Sequence, residues 1–234
     1  MNINFTFKPV KNNVYSRHGE AIKYIVVHDT GNSNRGAGAM AHFNYVNTNS
    51  RGASAHYFVD DKGIVQFVGD SRSAGAVGDG KGRFGITNRN SLSVEMCINS
   101  DGDYNKTYFT TVELVKNLMV KFKVPADRVV RHYDASRKLC PNHMRIDKWA
   151  KWWKFKEDIK RPMVVKIDLS KDSVNKSLDN VDKENEIMDN NKPSKWAEKE
   201  WEEGTKLGIT DGSNPKKPAS REEVVAMIVR AMKK

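Results

Sequence analysis

The chain has 234 residues, 38% of them hydrophobic and 29% charged, and carries a formal net charge of +11. No stretch approaches the roughly 18 consecutive apolar residues of a membrane span, and the opening MNINFTFKPVKNNVYSRHGE lacks the apolar core of a secretory signal, so the sequence predicts a soluble, cytosolically made protein. Its two cysteines, Cys97 and Cys140, allow at most one disulfide, and a reducing cytosol favours free thiols.

The charge is uneven. Residues 1–160 hold 25 Lys or Arg against 15 Asp or Glu, whereas residues 161–234 hold 15 against 14. A basic front half points to an anionic partner or simply to solubility. Zinc-finger spacing, a helical DNA-reading motif and a basic patch interleaved with aromatics are all lacking, which argues against nucleic acid.

In chain order, KYIVVHDT (23–30) is a short apolar run that ends in polar residues, a buried strand with His28 at its C-terminal end. AMAHFNYVNTN (39–49) has helical apolar spacing, and SAHYFVDDKGIVQFVG (54–69) reads as a hairpin turning at residues 60–63. A Gly-rich loop from Ala74 to Gly85 comes next. SLSVEMCI (91–98) alternates, with Leu92, Val94, Met96 and Ile98 on one face and Ser93, Glu95 and Cys97 on the other. A helix over 110–124 with a Thr cap, a strand over 127–133 and a helix from about Arg145 to Asp158 complete the front half. The last of these carries its apolar stripe on Ile146, Trp149, Trp153 and Ile159.

Beyond residue 161 the pattern dissolves into Lys, Asp, Asn, Ser and Glu, a solvated linker to residue 193. Two amphipathic helices succeed it, 195–209 and 220–234, the second opened by a Ser220/Glu223 capping box. The expected organisation is a domain over 1–160, a linker over 161–193 and a small helical module over 194–234. The module is small enough to lean on a partner surface, on the front domain or on a second copy, the last giving a homodimer.

Three side chains lie where open α/β sheets place functional groups: His28, His132 and Cys140. A thiolate with two imidazoles suits Zn²⁺ and leaves a fourth tetrahedral position for water. Each alone has a plain structural explanation, and spacing by itself does not decide between them.

The combination VVHDT, SAHYFVDDKG, NSLSVEM and RHYDASRKLCP resembles the zinc-dependent N-acetylmuramoyl-L-alanine amidases of the phage endolysin and peptidoglycan-recognition type, over roughly residues 20–155. The resemblance implies a central mixed β-sheet flanked by helices, with His28, His132 and Cys140 as zinc ligands. It further implies Glu95 as catalytic carboxylate, Lys138 as catalytic lysine and His56 as a third helper in a place where some relatives use tyrosine. His18, His42 and His143 have no motif support, and Ser73-Ala74 departs from the relatives' pattern. The tail resembles one S-layer-homology repeat on Trp196, Leu207-Gly208-Ile209 and Ser220-Arg221-Glu222-Glu223. Together these imply a peptidoglycan hydrolase that cuts between N-acetylmuramic acid and L-alanine and binds peptidoglycan and anionic wall polymers. Such an enzyme would act as an endolysin that reaches the wall through a holin lesion. The alternatives are a non-catalytic peptidoglycan receptor and a zinc endopeptidase of the stem peptide.

Overall fold

A computed structural model describes residues 3–48, 52–170 and 198–208. The chain divides into two compact units, Met1–Asn175 and Lys176–Lys234.

The first unit is built on a six-stranded mixed sheet. Its strands are β1 (Phe5–Phe7), β3 (Tyr24–Asp29), β4 (Tyr57–Asp60), β5 (Gly63–Gln66), β7 (Ser91–Met96) and β8 (Val129–Arg131), in the order β1-β5-β4-β7-β3-β8. Only the β4–β5 hairpin is antiparallel. A separate two-stranded ribbon pairs β2 (Val14–Ser16) with β6 (Arg72–Ala74). The central β3 is flanked by parallel neighbours, so its apolar run is continuous: Ile25, Val26 and Val27 are completely buried.

The alternation read in β7 sorts the two faces of the sheet. Leu92, Val94 and Met96 join Ile25, Val27, Tyr57 and Ile64 in one core, covered by helix α2 (Tyr104–Phe122) and helix α4 (Ile146–Asp158). Phe58, Val65, Phe67 and Cys97 face the other way, against helix α1 (Ala39–Thr48). On that second face Val26, Val77, Ile86 and Ala135 of helix α3 (His132–Ser136) form a small cluster beneath the Gly-rich loop. The expected fold class is therefore the observed one.

Three expectations shift. Helix α2 begins six residues before Thr110, because Asp103 is its cap and accepts from the amides of Asn105 and Lys106. The threonines lie inside it, and the Thr111 hydroxyl donates 2.7 Å to the Thr107 carbonyl, an i−4 bond that hides a threonine within a helix. In α4 the buried stripe is Trp152, Phe155 and Ile159, while Ile146 and Trp153 are 60% and 55% exposed. Positive φ at Asp147, Lys148 and Trp149 breaks the helical phase that would have linked Ile146 to the rest.

The packed unit also continues past residue 161, where the linker was expected to begin. Val165, Ile167 and Leu169 are buried in the α2 core in strand-like alternation. Side chains of α2 grip the backbone of this segment. Glu113 accepts the amides of Val164 and Val165 at 2.8 and 2.7 Å, and Asn117 bonds both Val165 and Ile167. In the second unit, helix α5 (Glu198–Lys206) falls within the helix expected over 195–209. The helix expected over 220–234 and residues 171–193 of the linker lie outside the described residues. No described helix is long and apolar enough to cross a membrane.

Candidate metal centre

The centre forms where the parallel strands β3, β7 and β8 end. Register sets the first contacts: His28 is opposite Glu95, and Val27 is opposite Arg131, so the chain leaves β8 into His132 beside His28. The two imidazole rings meet edge-on, 4.6 Å between centroids. Cys140 returns to the same place because its loop is tied shut. The Cys140 carbonyl accepts from the Tyr133 amide at 3.1 Å, and the Cys140 amide donates 2.7 Å to the Lys138 carbonyl. Asp29, the last residue of β3, fastens the turn after Cys140 by accepting the His143 amide at 2.6 Å.

One ligand atom from each of His28, His132 and Cys140 lies within 4.8 Å of the others, and all three residues are buried. His28 Nδ1 stands 3.8 Å from the Cys140 sulfur and 3.9 Å from Glu95 Oε1. Among the described residues, His28 Nε2, His132 Nδ1 and Glu95 Oε2 are buried without a hydrogen-bond partner. Three such atoms on neighbouring residues are uncommon in a folded interior, where buried polar groups are normally satisfied.

The electrostatics favour a cation. Burial, together with the neighbouring imidazole and Lys138, holds His28 well below the usual histidine range, and burial outweighs Asp79 to lower His132 as well. Both rings are thus neutral and keep a free lone pair at physiological pH. Burial, and then the Glu95 charge, pushes the Cys140 thiol up, so its thiolate form calls for a positive partner. Glu95 is pushed up to about 8 by burial and by repulsion from Asp29, with Lys138 opposing. Two neutral imidazoles and a thiol awaiting a cation are a donor set that fits zinc, and three ligands leave a position open for solvent.

The structure thus brings together His28, His132, Cys140 and Glu95, with Lys138 on the exposed loop beside them and within electrostatic reach of all four. His56 departs from expectation. It is 1% exposed, its Nδ1 accepts the Ser93 amide at 3.0 Å, and its Nε2 lies 3.1 Å from the Arg72 carbonyl and 2.9 Å from the Arg17 guanidinium. Burial and Arg17 lower it to about 3. A ring so engaged and held neutral locks β4 to β7 and has no nitrogen to offer a substrate. The sequence reading missed Asp79, whose carboxylate meets His132 Nε2 at 2.8 Å. Burial raises the Asp79 pKa, but its bonds to His132 and Ser136 outweigh that and hold it low. Its setting in a Gly-rich loop gave no periodic signal.

A sequence model of the N-acetylmuramoyl-L-alanine amidase family matches residues 18–143. The chain belongs to that family. Among curated members, the amidase CwlH of Bacillus subtilis is 36% identical over 143 residues, 61% of this chain and 56% of CwlH. The amidase XlyA of the same organism is 35% identical over 149 residues, 64% of this chain and 49% of XlyA. The amidase-family chain spans about half the length of these curated relatives. A solved mutant endolysin from Bacillus subtilis superposes with a TM-score of 0.60 at 34% identity, over 68% of this chain and 99% of that one. The solved catalytic domain of XlyA gives 0.58 at 34% identity over the same shares.

Proposed function

We propose that this chain is a zinc-dependent N-acetylmuramoyl-L-alanine amidase that cuts the amide between N-acetylmuramic acid and the L-alanine of the stem peptide. The observation that carries the reading is the convergence of His28, His132 and Cys140 within 4.8 Å, with unpartnered buried nitrogens, beside Glu95 in a family of that name. When bound, zinc would supply Lewis-acid polarisation and bring the pKa of water toward about 7. Glu95, poised near neutrality, accepts a proton from the attacking water and hands it to the departing amine. Lys138 steadies the negative charge that develops on the carbonyl oxygen. Asp29 keeps Glu95 basic by repulsion and keeps the Cys140 loop in register through the His143 amide.

The tail after residue 194 serves as a wall-binding module in this reading, supported by its S-layer-homology-like sequence, and the basic front half favours anionic wall polymers. Resemblance to a solved endolysin supports lysis of a host wall as the cellular role. The deciding experiment is metal analysis of the purified chain combined with mass spectrometry of digested peptidoglycan. Peptide-free glycan and newly freed L-alanine amino groups are expected. Release of other peptide termini would make it an endopeptidase, and wall binding without release would make it a receptor.

A further inference from the structure

A neutral imidazole has one N–H and one lone pair, and which nitrogen carries which is set by the partner of the other. His132 has such a partner. Asp79 Oδ1 lies 2.8 Å from His132 Nε2, and Asp79 Oδ2 accepts the Ser136 hydroxyl at 3.0 Å. A carboxylate can only accept, so Nε2 must hold the proton and Nδ1 must hold the lone pair. That Nδ1 is buried and unpartnered among the described residues. His28 differs, since its Nε2 has no partner among them and no carboxylate fixes its tautomer from behind.

The Gly-rich loop is built to deliver this contact. Asp79 sits in a 3-10 turn, Gly78–Gly80, closed by Lys81 in the left-handed conformation. At Gly80 a Cβ would fall 2.2 Å from the Ala135 carbonyl oxygen, so only glycine lets the turn press against the C-terminal end of α3, the short helix that His132 opens. Asn88 Oδ1 braces the approach from behind by accepting the amides of Ala76 and Val77 at 3.1 and 2.7 Å. The Asp79 side chain is itself 46% exposed, so the core does not depend on it.

Resting on the zinc-amidase reading, we propose that Asp79 is a positioning residue. It fixes His132 as the Nε2–H tautomer, presents Nδ1 as the ligand atom, and thereby raises the affinity of the centre for zinc. Carboxylate or carbonyl partners behind ligating histidines are generally worth about 10–100-fold in metal affinity.

The test uses the full chain, zinc as the probe and three proteins: parent, Asp79→Ala and Asp79→Asn. Both variants remove the same negative charge, but asparagine keeps an oxygen able to accept from Nε2–H. Competition against a chelating dye is expected to show zinc binding about 10–100-fold weaker in Asp79→Ala and substantially recovered in Asp79→Asn. Nitrogen-15 shifts of the metal-free imidazoles should report Nε2–H at His132 in the parent and in Asp79→Asn, and a mixture of tautomers in Asp79→Ala. Equal zinc affinity in the two variants, or an unchanged tautomer in Asp79→Ala, overturns the proposal and reduces Asp79 to a charge. A parent chain that takes up no zinc would instead overturn the amidase reading itself.

Discussion

Two glutamates, one buried and one partly buried, divide this molecule by purpose. Glu113 on α2 is 1% exposed and saturated: Lys116 donates 2.8 Å to Oε1, while the amides of Val164 and Val165 occupy Oε2. Burial would raise its pKa, yet these three partners outweigh burial and hold it below the usual range. Glu95, 19% exposed at the end of β7, has an Oε2 with no partner among the described residues and a pKa pushed up to about 8. The same side chain becomes a clamp where its oxygens are filled and, in the proposed mechanism, a proton carrier where one is left open. Unsatisfied polarity marks the end of the sheet where chemistry belongs, and satisfied polarity marks the side that holds the fold.

Breaking the open end should have the largest effects. Cys140→Ser is expected to lose bound zinc and hydrolysis together, read by elemental analysis and by release of L-alanine amino groups, because the site is left with two imidazoles and a weak oxygen donor. Glu95→Gln should keep zinc and fold while slowing hydrolysis by about 10²–10⁴. A parent-like rate in that variant would remove Glu95 from the chemistry.

The saturated end should respond in stability instead. Glu113→Ala strands Lys116 and two amides, and is expected to cost about 3 kcal/mol in denaturant unfolding with zinc affinity unchanged. A chain stopped after Arg161 should be about 2 kcal/mol less stable than one stopped at residue 175, since Val165, Ile167 and Leu169 leave the core and the entropy of ordering their segment offsets much of that burial. The smallest effect concerns pH. Glu113 is depressed on folding, so its contribution is fully present above about pH 4.5 and fades as pH falls through its folded value. Glu113→Gln should therefore flatten the acid side of the stability profile, and an unaltered profile would mean that Glu113 is not the group responsible.

Much of the fold could be read from the residues because its periods are clean. The run YIVVHD of β3, the alternation of SLSVEM and the DDKG turn each have one physical interpretation, and they also position His28 and Glu95. The parts that could not be read depend on distant partners. Strands β1 and β2 are three residues long and owe their existence to β5 and β6. The segment from Val164 to Leu169 looks like linker until Glu113 and Asn117 take hold of its backbone. In α4, three left-handed residues shift the stripe away from Ile146. His56 is a further case, a motif histidine whose neighbours Ser93, Arg72 and Arg17 use up both nitrogens.

The three proposed ligands come from two stretches of chain, one at residue 28 and one at residues 132 to 140, that meet only when β8 lies against β3. An unfolded chain has no such pocket, so the ion should bind the native state alone, and a hundredfold excess of zinc over its dissociation constant would add about 2.7 kcal/mol to folding. Heating the protein with and without a chelator then becomes a gauge of occupancy that needs no bacterial wall, and wall-degrading activity should fade along the same titration as thermal resistance.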